Sequence, residues 1–457
     1  MTAPRRRLLG AALLAVLVAA LALAAAVAVG AFSGPTPAQI AAEQIARLRA
    51  AEQRAVRSAE SLVAVRLPHR SGSPAPDPTA ALFRPPLPAP HQVVGYVPYW
   101  TMAGLTPADY TDVSTLAYYG PTLLASGRLA TVGPGYTDLA SGALAQLVAR
   151  SHAAGDRVLL TAATTDPAVI AGLLADPAAS AARLAGALLP LVAAHHFDGV
   201  SLDVEGRATA QRHGYTAFVA ALSARLRRAD PHLELVVDVY PQSAGNGSDF
   251  FDVAALAPHV DLLFVMAYDM EDPTVPSAGA PLASPTLGLS DVQTVLAYEK
   301  AVPASKLVLG IPFYGYDFTL AAGRSASHPS AAGPPIAVTY AAIAAVGRPA
   351  RWDTGSYTPY TSFSAGGRAH ETFYDNAVSI ALKTALAEKA GLAGTGAWAL
   401  GDEGGDATLL QALDGGSPPV RLPPVPAPSP AAVAAATAAA AAAAAAATTA
   451  AAGTPSG

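Results

Sequence analysis

The sequence predicts an α/β protein built on a (β/α)₈ TIM barrel. Between about residues 92 and 414, eight short apolar segments alternate with helical patterns, as successive parallel βαβ units require. Eight strands close such a barrel, whose usual length of about 250 residues fits within this stretch. The competing topology is a doubly wound open sheet, and the absence of a Gly-rich phosphate loop argues against it.

The predicted strands are rich in β-branched, leucine and aromatic residues, which suit a sheet buried on both faces. They are Val93–Tyr99, Leu116–Tyr119, Val158–Ala162, Gly199–Val204, Leu233–Tyr240, Leu262–Tyr268, Leu307–Phe313 and Gly396–Leu400. Apolar residues at helical spacing predict intervening helices, for example Leu139–Ala154, Ala178–Ala194 and Tyr215–Arg228.

Roughly 80 residues separate the seventh and eighth predicted strands, more than one connecting helix needs. This stretch contains a helical pattern at Tyr340–Val346, a strand pattern at Pro359–Phe363 and a helix near Asn376–Ala387. We therefore expect a small α+β insertion at about residues 316–393, rising over one side of the barrel mouth.

The N-terminal segment, residues 1–37, predicts export. Arg5, Arg6 and Arg7 precede an uncharged apolar run from Leu8 to Phe32, which is long enough to cross a membrane and longer than a usual signal-peptide core. The arginines would stay in the cytoplasm, so the rest of the chain is expected outside. A membrane anchor is favoured over a cleaved signal, and the segment also weakly resembles a twin-arginine signal.

The remaining flanks carry three different patterns. Residues 38–65 have helical spacing and predict a stalk or short coiled coil, or equally a single amphipathic helix lying against the domain. Residues 66–91 are Pro-rich and predict an extended linker. Residues 415–457 are rich in Ala and Pro without a periodic apolar face, and are predicted to be disordered.

Composition excludes several classes of function. The 457-residue chain contains no Cys, which rules out disulfides, thiolate metal sites and cysteine nucleophiles. Its net charge is −5 and it has no long basic stretch, so a nucleic-acid partner is not expected. No cofactor and no metal are predicted, and the sequence leaves the oligomeric state open.

The fourth predicted strand carries the most informative residues. Side chains alternate along a strand, so Ser201, Asp203 and Glu205 share one face while the intervening apolar residues share the other. The apolar face must meet the helices, which turns the polar face into the barrel. Repulsion and desolvation raise the proton affinity of such a carboxyl pair, which suits a general acid. Taken alone, the pair is equally consistent with a structural or metal-binding role, although no nearby His completes a metal site.

These residues and several further motifs resemble the family 18 glycoside hydrolases, the chitinase-like family. Asp198–Glu205 resembles the signature D-x-x-D-x-D-x-E. Other segments resemble the family's first, sixth, seventh and eighth strands in the right order: Val94–Trp100, Met266–Asp269, Leu307–Gly315 and Gly396–Gly401. His370–Asp375 is similar to the insertion of the branch that includes spore-cortex-lytic hydrolases. The resemblance covers about residues 93–406.

The resemblance implies a substrate-assisted glycosidase, in which the sugar's 2-acetamido oxygen attacks its own anomeric carbon. Glu205 would be the acid and then the base for water, and Asp203 would orient the acetamido N–H. Tyr268 would donate to the acetamido oxygen, Trp398 would stack beneath the sugar, and Asp269 would hold a sugar hydroxyl or the neighbouring network.

Other positions carry weaker implications. Trp100 and Tyr240 are expected as further sugar contacts, whereas His370 is expected to be structural. Ser201 stands where the signature often has Asp or Asn; it is expected to donate to Asp203, with a lower rate or altered pH dependence as the consequence. Asp238 and Asp317 are consistent with either loop hydrogen bonding or substrate contact.

The favoured hypothesis is an exported, membrane-anchored or secreted N-acetylglucosaminidase that cleaves β-1,4-linked peptidoglycan or chitin-like glycans. An anchor near the cell wall favours peptidoglycan. One alternative is a non-catalytic, lectin-like barrel at the cell envelope, for which Ser201 is the one feature in favour. Another is a structural envelope protein that docks a partner through the helix at residues 38–65.

Overall fold

A computed structural model describes residues 91–284, 289–321 and 330–415 of the protein. The predicted membrane segment, stalk and C-terminal tail, and the predicted linker up to residue 90, lie outside these residues and remain predictions. Within the described residues the α/β barrel with an inserted subdomain is confirmed.

Eight parallel strands form the closed barrel, in which each pairs with the next along the chain and the last pairs with the first. They are β1 (Gln92–Pro98), β2 (Thr115–Thr122), β3 (Arg157–Thr164), β4 (Gly199–Val204), β5 (Glu234–Val239), β6 (Leu262–Met266), β7 (Leu307–Pro312) and β13 (Gly394–Trp398). Five antiparallel strands between β7 and β13 form the inserted sheet: β8 (Tyr314–Thr319), β9 (Ile336–Thr339), β10 (Arg351–Asp353), β11 (Thr358–Ala365) and β12 (Arg368–Phe373).

The helices connect these strands. They are α1 (Pro134–Thr137), α2 (Gly142–Ala154), α3 (Pro167–Leu174), α4 (Pro177–His195), α5 (Arg212–Ala229), α6 (Val253–Leu256), α7 (Asp291–Tyr298), α8 (Tyr340–Ala345), α9 (Ala377–Ala390) and α10 (Ala407–Leu413). Most begin after a Ser, Thr, Asp or Asn whose side chain accepts a backbone N–H bond, which satisfies donors that have no partner within the helix.

Among the described residues, α4 alone has the length and apolar composition of a membrane span. Six of its residues are buried, and it packs against α5, its neighbour around the barrel. A core-facing helix meets the same length and composition criteria, so α4 belongs to the barrel fold.

Phe264 on β6 fills the barrel interior next to two glycines. Its ring lies where a Cβ at Gly310 or Gly396 would be, since an added Cβ would approach it to 2.6 Å or 2.4 Å. The two positions, on β7 and β13, therefore require glycine. The same ring packs edge-on against Tyr96 of β1 at a centroid distance of 4.9 Å. This packing supports the polar residues above it.

The boundary of the insertion differs from the prediction. We expected the helix near residues 376–387 to belong to the insertion, but α9 packs against β7, β13 and α10 and contributes Ile380, Leu382 and Leu386 to the barrel core. Its buried residues lie on all sides of the helix, which matches a position between the barrel and its neighbouring helices. The inserted sheet itself runs from β8 to β12.

Asp156, just before β3, provides a test of buried charge. It is 5 % exposed, its Oδ2 has no hydrogen-bond partner, and burial raises its pKa to about 8. Because the folded-state pKa is raised, stability is lost as pH rises from about 4 towards 8. Asp156→Asn is therefore expected to increase the free energy of unfolding by about 2–4 kcal/mol at pH 8 and to change it little at pH 4. Urea denaturation at both pH values measures this, and an equal effect at both would contradict it.

Candidate active site

The carboxyl end of β4 carries two acids. Asp203 is buried near the end of the strand, and Glu205 follows it with about a quarter of its side chain exposed. Burial, then the charge of Glu205, raises the pKa of Asp203 to about 7, while burial also raises the pKa of Glu205. Asp203 Oδ1 has no hydrogen-bond partner. The pair thus offers a proton donor and a free acceptor at the barrel mouth.

Tyr119, on β2, is a residue that the sequence analysis did not assign to the site. Its hydroxyl faces the Asp203 carboxyl and lowers the pKa of that acid, against the effect of burial. Burial and the neighbouring carboxyls raise the pKa of Tyr119 itself, so it remains a donor. Tyr119 therefore orients Asp203.

Ser201 takes part in a different network from the one expected. We expected it to donate to Asp203, but its Oγ lies 2.8 Å from the Tyr96 hydroxyl, and the serine hydroxyl lowers the pKa of Asp238 on β5. Tyr96 also donates to Asp238. The serine is fully buried beneath the acids, so it supports the site from below. The interior of the barrel brings these three strands together, which the local sequence does not reveal.

The surroundings of Asp238 favour its neutral form. Burial, then the charge of Asp203, raises the pKa of Asp238 well above its ordinary value. Asp238→Asn, which keeps the shape and the neutral state, is expected to cost less than about 1 kcal/mol of stability at pH 6. Asp238→Ala removes the partner of Tyr96 and Ser201 and is expected to cost about 1–3 kcal/mol. Chemical denaturation compares the two, and equal losses would show that the ionised carboxylate is required.

Tyr268 and Asp269 follow β6. Tyr268 is nearly buried, and burial together with the nearby Asp238 and Asp203 raises its pKa, which keeps its hydroxyl protonated. Asp269 has a positive φ of 57°, a conformation that Asp tolerates better than most residues. Its Oδ1 accepts hydrogen bonds from Tyr314 and, at 2.6 Å, from Tyr316 at the start of the insertion. The insertion thus fixes one carboxylate at the rim of the site.

An aromatic wall lines the other side of the mouth. Trp398, at the end of β13, is half-buried, and its ring centroid lies 4.9 Å from that of Tyr119. The peptide bond after Trp398 is cis. Trp100 follows β1 and is 56 % exposed, and its ring centroid lies 6.1 Å from that of Tyr119. Exposed aromatic faces of this kind can stack on the apolar face of a sugar ring.

Tyr240, predicted as a sugar contact, follows β5 and lies beside Glu205. It is nearly buried, and the guanidinium of Arg207 lies 4.1 Å above its ring. The Tyr240 hydroxyl faces Glu205 and lowers the pKa of that acid, although the hydroxyl has no partner at full hydrogen-bonding geometry. Arg207 also lies 3.8 Å from Glu205. Tyr240 is therefore positioned to stabilise the ionised form of Glu205.

Asp317 and His370 lie in the inserted sheet, away from Asp203 and Glu205. Asp317 on β8 accepts from Thr372 at 2.8 Å and pairs with His370 at 2.9 Å, which joins β8 to β12 within the insertion. A cavity of about 650 Å³ opens at the opposite end of the barrel, between α2 and α4. Two of its polar residues, His152 and Asp198, already pair with each other at 2.9 Å. We therefore assign the chemistry to Asp203 and Glu205 at the carboxyl ends of the strands.

Tyr119, Asp238 and Arg207 are the residues that sequence reasoning missed or left undecided. Tyr119 and Asp238 lie in the carboxyl-terminal halves of β2 and β5, and Arg207 follows β4, in the part of the barrel where catalytic groups collect. Position along a barrel strand was the only signal for these residues in the sequence. It does not by itself distinguish a side chain in the site from one that packs in the core.

Comparison with known proteins identifies relatives of this arrangement. The model of glycosyl hydrolases family 18 matches residues 133–403, and β1 and β2 precede the match but belong to the same barrel. Di-N-acetylchitobiase of Rattus norvegicus is 27% identical over 276 residues, which cover 55% of this chain and 72% of that protein.

Two solved structures share the fold. The spore cortex-lytic enzyme SleL of Bacillus cereus has a TM-score of 0.58 and 19% identity, covering 72% of this chain and 74% of that one. The chitinase-like agglutinin of Robinia pseudoacacia has a TM-score of 0.60 and 22% identity, covering 70% of this chain and 98% of that one.

Proposed function

The chain belongs to glycosyl hydrolase family 18 and is a glycosidase, and we propose that it hydrolyses β-1,4 linkages in glycans that contain N-acetylglucosamine. The observation that carries this proposal is the pair Asp203 and Glu205 at the carboxyl end of β4, where Asp203 Oδ1 is buried and has no hydrogen-bond partner within the protein. The matched di-N-acetylchitobiase supports the class of sugar.

In the proposed reaction the substrate supplies its own nucleophile. Glu205 protonates the leaving oxygen while the acetamido oxygen attacks the anomeric carbon, and a cationic oxazolinium-like ring forms. Asp203 accepts the acetamido N–H and stabilises the positive charge, and Tyr268 donates to the acetamido oxygen. Glu205, now ionised, then takes a proton from water as it attacks the same carbon, which retains the anomeric configuration. Fixed charge of this kind contributes several kcal/mol.

The sugar contacts are part of the same proposal. Trp398 stacks beneath the sugar that is attacked, and its contact with Tyr119 holds the ring in place. Trp100, with more than half of its surface exposed, extends this stacking platform away from the acids. Asp269 accepts from two tyrosines and so presents a fixed carboxylate to a sugar hydroxyl.

The favoured substrate is peptidoglycan. A cortical fragment-lytic enzyme of Bacillus anthracis is 27% identical over 214 residues, which cover 44% of this chain and 46% of that protein, and its name supports this choice. The predicted export of residues after Phe32 would bring the barrel to the cell wall.

Turnover of matched sugars tests the reaction. Release of reducing ends is measured on peptidoglycan strands, on chitin oligosaccharides and on the same oligosaccharides after N-deacetylation. We expect cleavage of the acetylated sugars and a loss of at least about 100-fold without the acetamido group, because the nucleophile is then missing. Equal cleavage of both would refute substrate assistance while hydrolysis stands. Binding of all three without cleavage would refute the hydrolase function.

A non-catalytic lectin is the second candidate. The exposed ring of Trp100 favours it, because this ring offers a sugar-stacking face that needs no proton donor. The turnover assay separates the two, because a lectin binds the oligosaccharides and releases no reducing ends.

Export is a separate proposal and rests on residues 5–32. Fractionation of cells that express the full chain is expected to place it on the outer side of the membrane or in the medium. Neutralising the three arginines is expected to impair this placement, and a cytoplasmic full-length chain would contradict the proposal.

A further inference from the structure

Arg207 places a positive charge at the edge of an acidic site. Its guanidinium lies 3.8 Å from Glu205 Oε2, longer than a hydrogen bond, and its side chain is 72% exposed. The ring of Tyr240, 4.1 Å below, supports the guanidinium from one face. The N–H donors of Arg207 are therefore held in position and remain accessible to a ligand in the cleft.

Arg207 lies on the side of the site opposite the aromatic wall. Asp203 contacts Tyr119, and the ring of Tyr119 packs on Trp398, so this half of the site extends towards β2 and β13. Glu205 and Arg207 lie together on the half nearer β5. In the proposed reaction the aromatic half holds the sugar that is attacked, and Glu205 reaches the leaving oxygen. Arg207 therefore adjoins the saccharide that leaves.

A permanent cation beside a general acid opposes its function. The charge of Arg207 lowers the pKa of Glu205, against the effect of burial, and so favours the ionised form that cannot donate a proton. An anionic group that pairs with Arg207 would offset this effect. A planar guanidinium matches a carboxylate through two parallel hydrogen bonds, which favours that anion over a simple counter-ion.

We propose that Arg207 binds a carboxylate on the leaving saccharide, so that the enzyme prefers acidic glycans to neutral chitin. The lactyl carboxylate of N-acetylmuramic acid, free once stem peptides are removed from peptidoglycan, has this chemistry. The inference rests on the proposed hydrolysis of N-acetylglucosamine-containing glycans and adds that Arg207 recognises a carboxylate on the substrate.

The test compares peptide-free glycan strands with the same strands after their carboxylates are capped as methylamides. With the full-length protein, we expect kcat/KM to be about 10-fold higher on the free acid, mainly through KM. In Arg207→Gln this preference is expected to disappear, and in Arg207→Lys to survive in part, because an ammonium keeps the charge without the planar pairing. Arg225→Gln removes an exposed arginine from the outer helix α5 and is expected to keep the full preference.

Equal kcat/KM for wild type on free and capped strands would overturn the inference and leave the proposed function intact. So would a preference that survives unchanged in Arg207→Gln, because another group would then bind the carboxylate. Failure of wild type to cleave either strand or chitin oligosaccharides would instead overturn the proposed function itself.

Discussion

Glu205→Gln is expected to lower kcat on N-acetylglucosamine oligosaccharides by about 10²- to 10⁴-fold, the usual contribution of general acid–base catalysis. The amide has nearly the same shape but can neither give a proton to the leaving oxygen nor accept one from water. Initial rates of reducing-end release measure the effect. KM is expected to change little, because the aromatic wall and Asp203 remain in place.

Two comparisons make this result specific to proton transfer. The loss is expected to be smaller on a 4-nitrophenyl glycoside, whose leaving group needs less protonation, although the later base step still suffers. Glu299→Gln, at an exposed position after α7, is expected to retain the wild-type rate. A loss of less than about 10-fold in Glu205→Gln, with an unchanged melting temperature, would mean that another group donates the proton.

The barrel strands were predictable because each is a short apolar run between polar loops. The predicted strand Leu233–Tyr240 corresponds to β5, Glu234–Val239, with a difference of one residue at each end. The last strand was predicted too late, at Gly396–Leu400, whereas β13 is Gly394–Trp398. Gly394 and Thr395 carry little apolar signal, and their pairing with β1 is what makes them part of the strand.

The insertion was harder to predict in detail. Its strands are short or half-exposed: β8 and β12 mix polar with apolar residues, and β9 is only four residues long, so none has the long apolar run that identifies a barrel strand. The helix α9 was assigned to the insertion from its position in the chain. Its burial by barrel strands is a long-range property, which local spacing cannot supply.

Within the site, sequence reasoning succeeded where one strand carries the pattern. Alternation alone put Ser201, Asp203 and Glu205 on one face of β4. It could not identify Asp238 as a neighbour of Ser201, because Asp238 lies 37 positions further along the chain, on the next strand. Contacts between neighbouring strands depend on barrel register, which the structure provides.

Lys383→Met is expected to lower the free energy of unfolding by about 3–5 kcal/mol, because it leaves buried acids without their cation. Lys383 Nζ on α9 lies 2.7 Å from Asp375, 3.5 Å from Asp291 and 2.6 Å from the Ala280 carbonyl oxygen, and all three charged side chains are at most 2% exposed. These contacts join α9, the start of α7 and the loop before it. Urea denaturation measures the loss.

The dependence of this loss on pH identifies its cause. Burial raises the pKa of Asp291 to about 7, and Lys383 holds it from rising further. Without Lys383, the buried acids are more stable in their protonated form. The loss of unfolding free energy is therefore expected to be smallest at pH 4 and to grow towards pH 8. Lys389→Met, on the exposed side of the same helix, is expected to change stability by less than about 0.5 kcal/mol.

Removing the acids as well should restore most of the stability. Lys383→Met combined with Asp291→Asn and Asp375→Asn leaves no charge in this cluster, and replacing a whole buried ion group is often close to neutral. A triple variant as unstable as Lys383→Met would show that the lysine acts by filling space and by its bond to Ala280. A loss independent of pH would point to the same packing role. Recovery in the triple variant would instead assign the effect to uncompensated charge at the junction of α7 and α9.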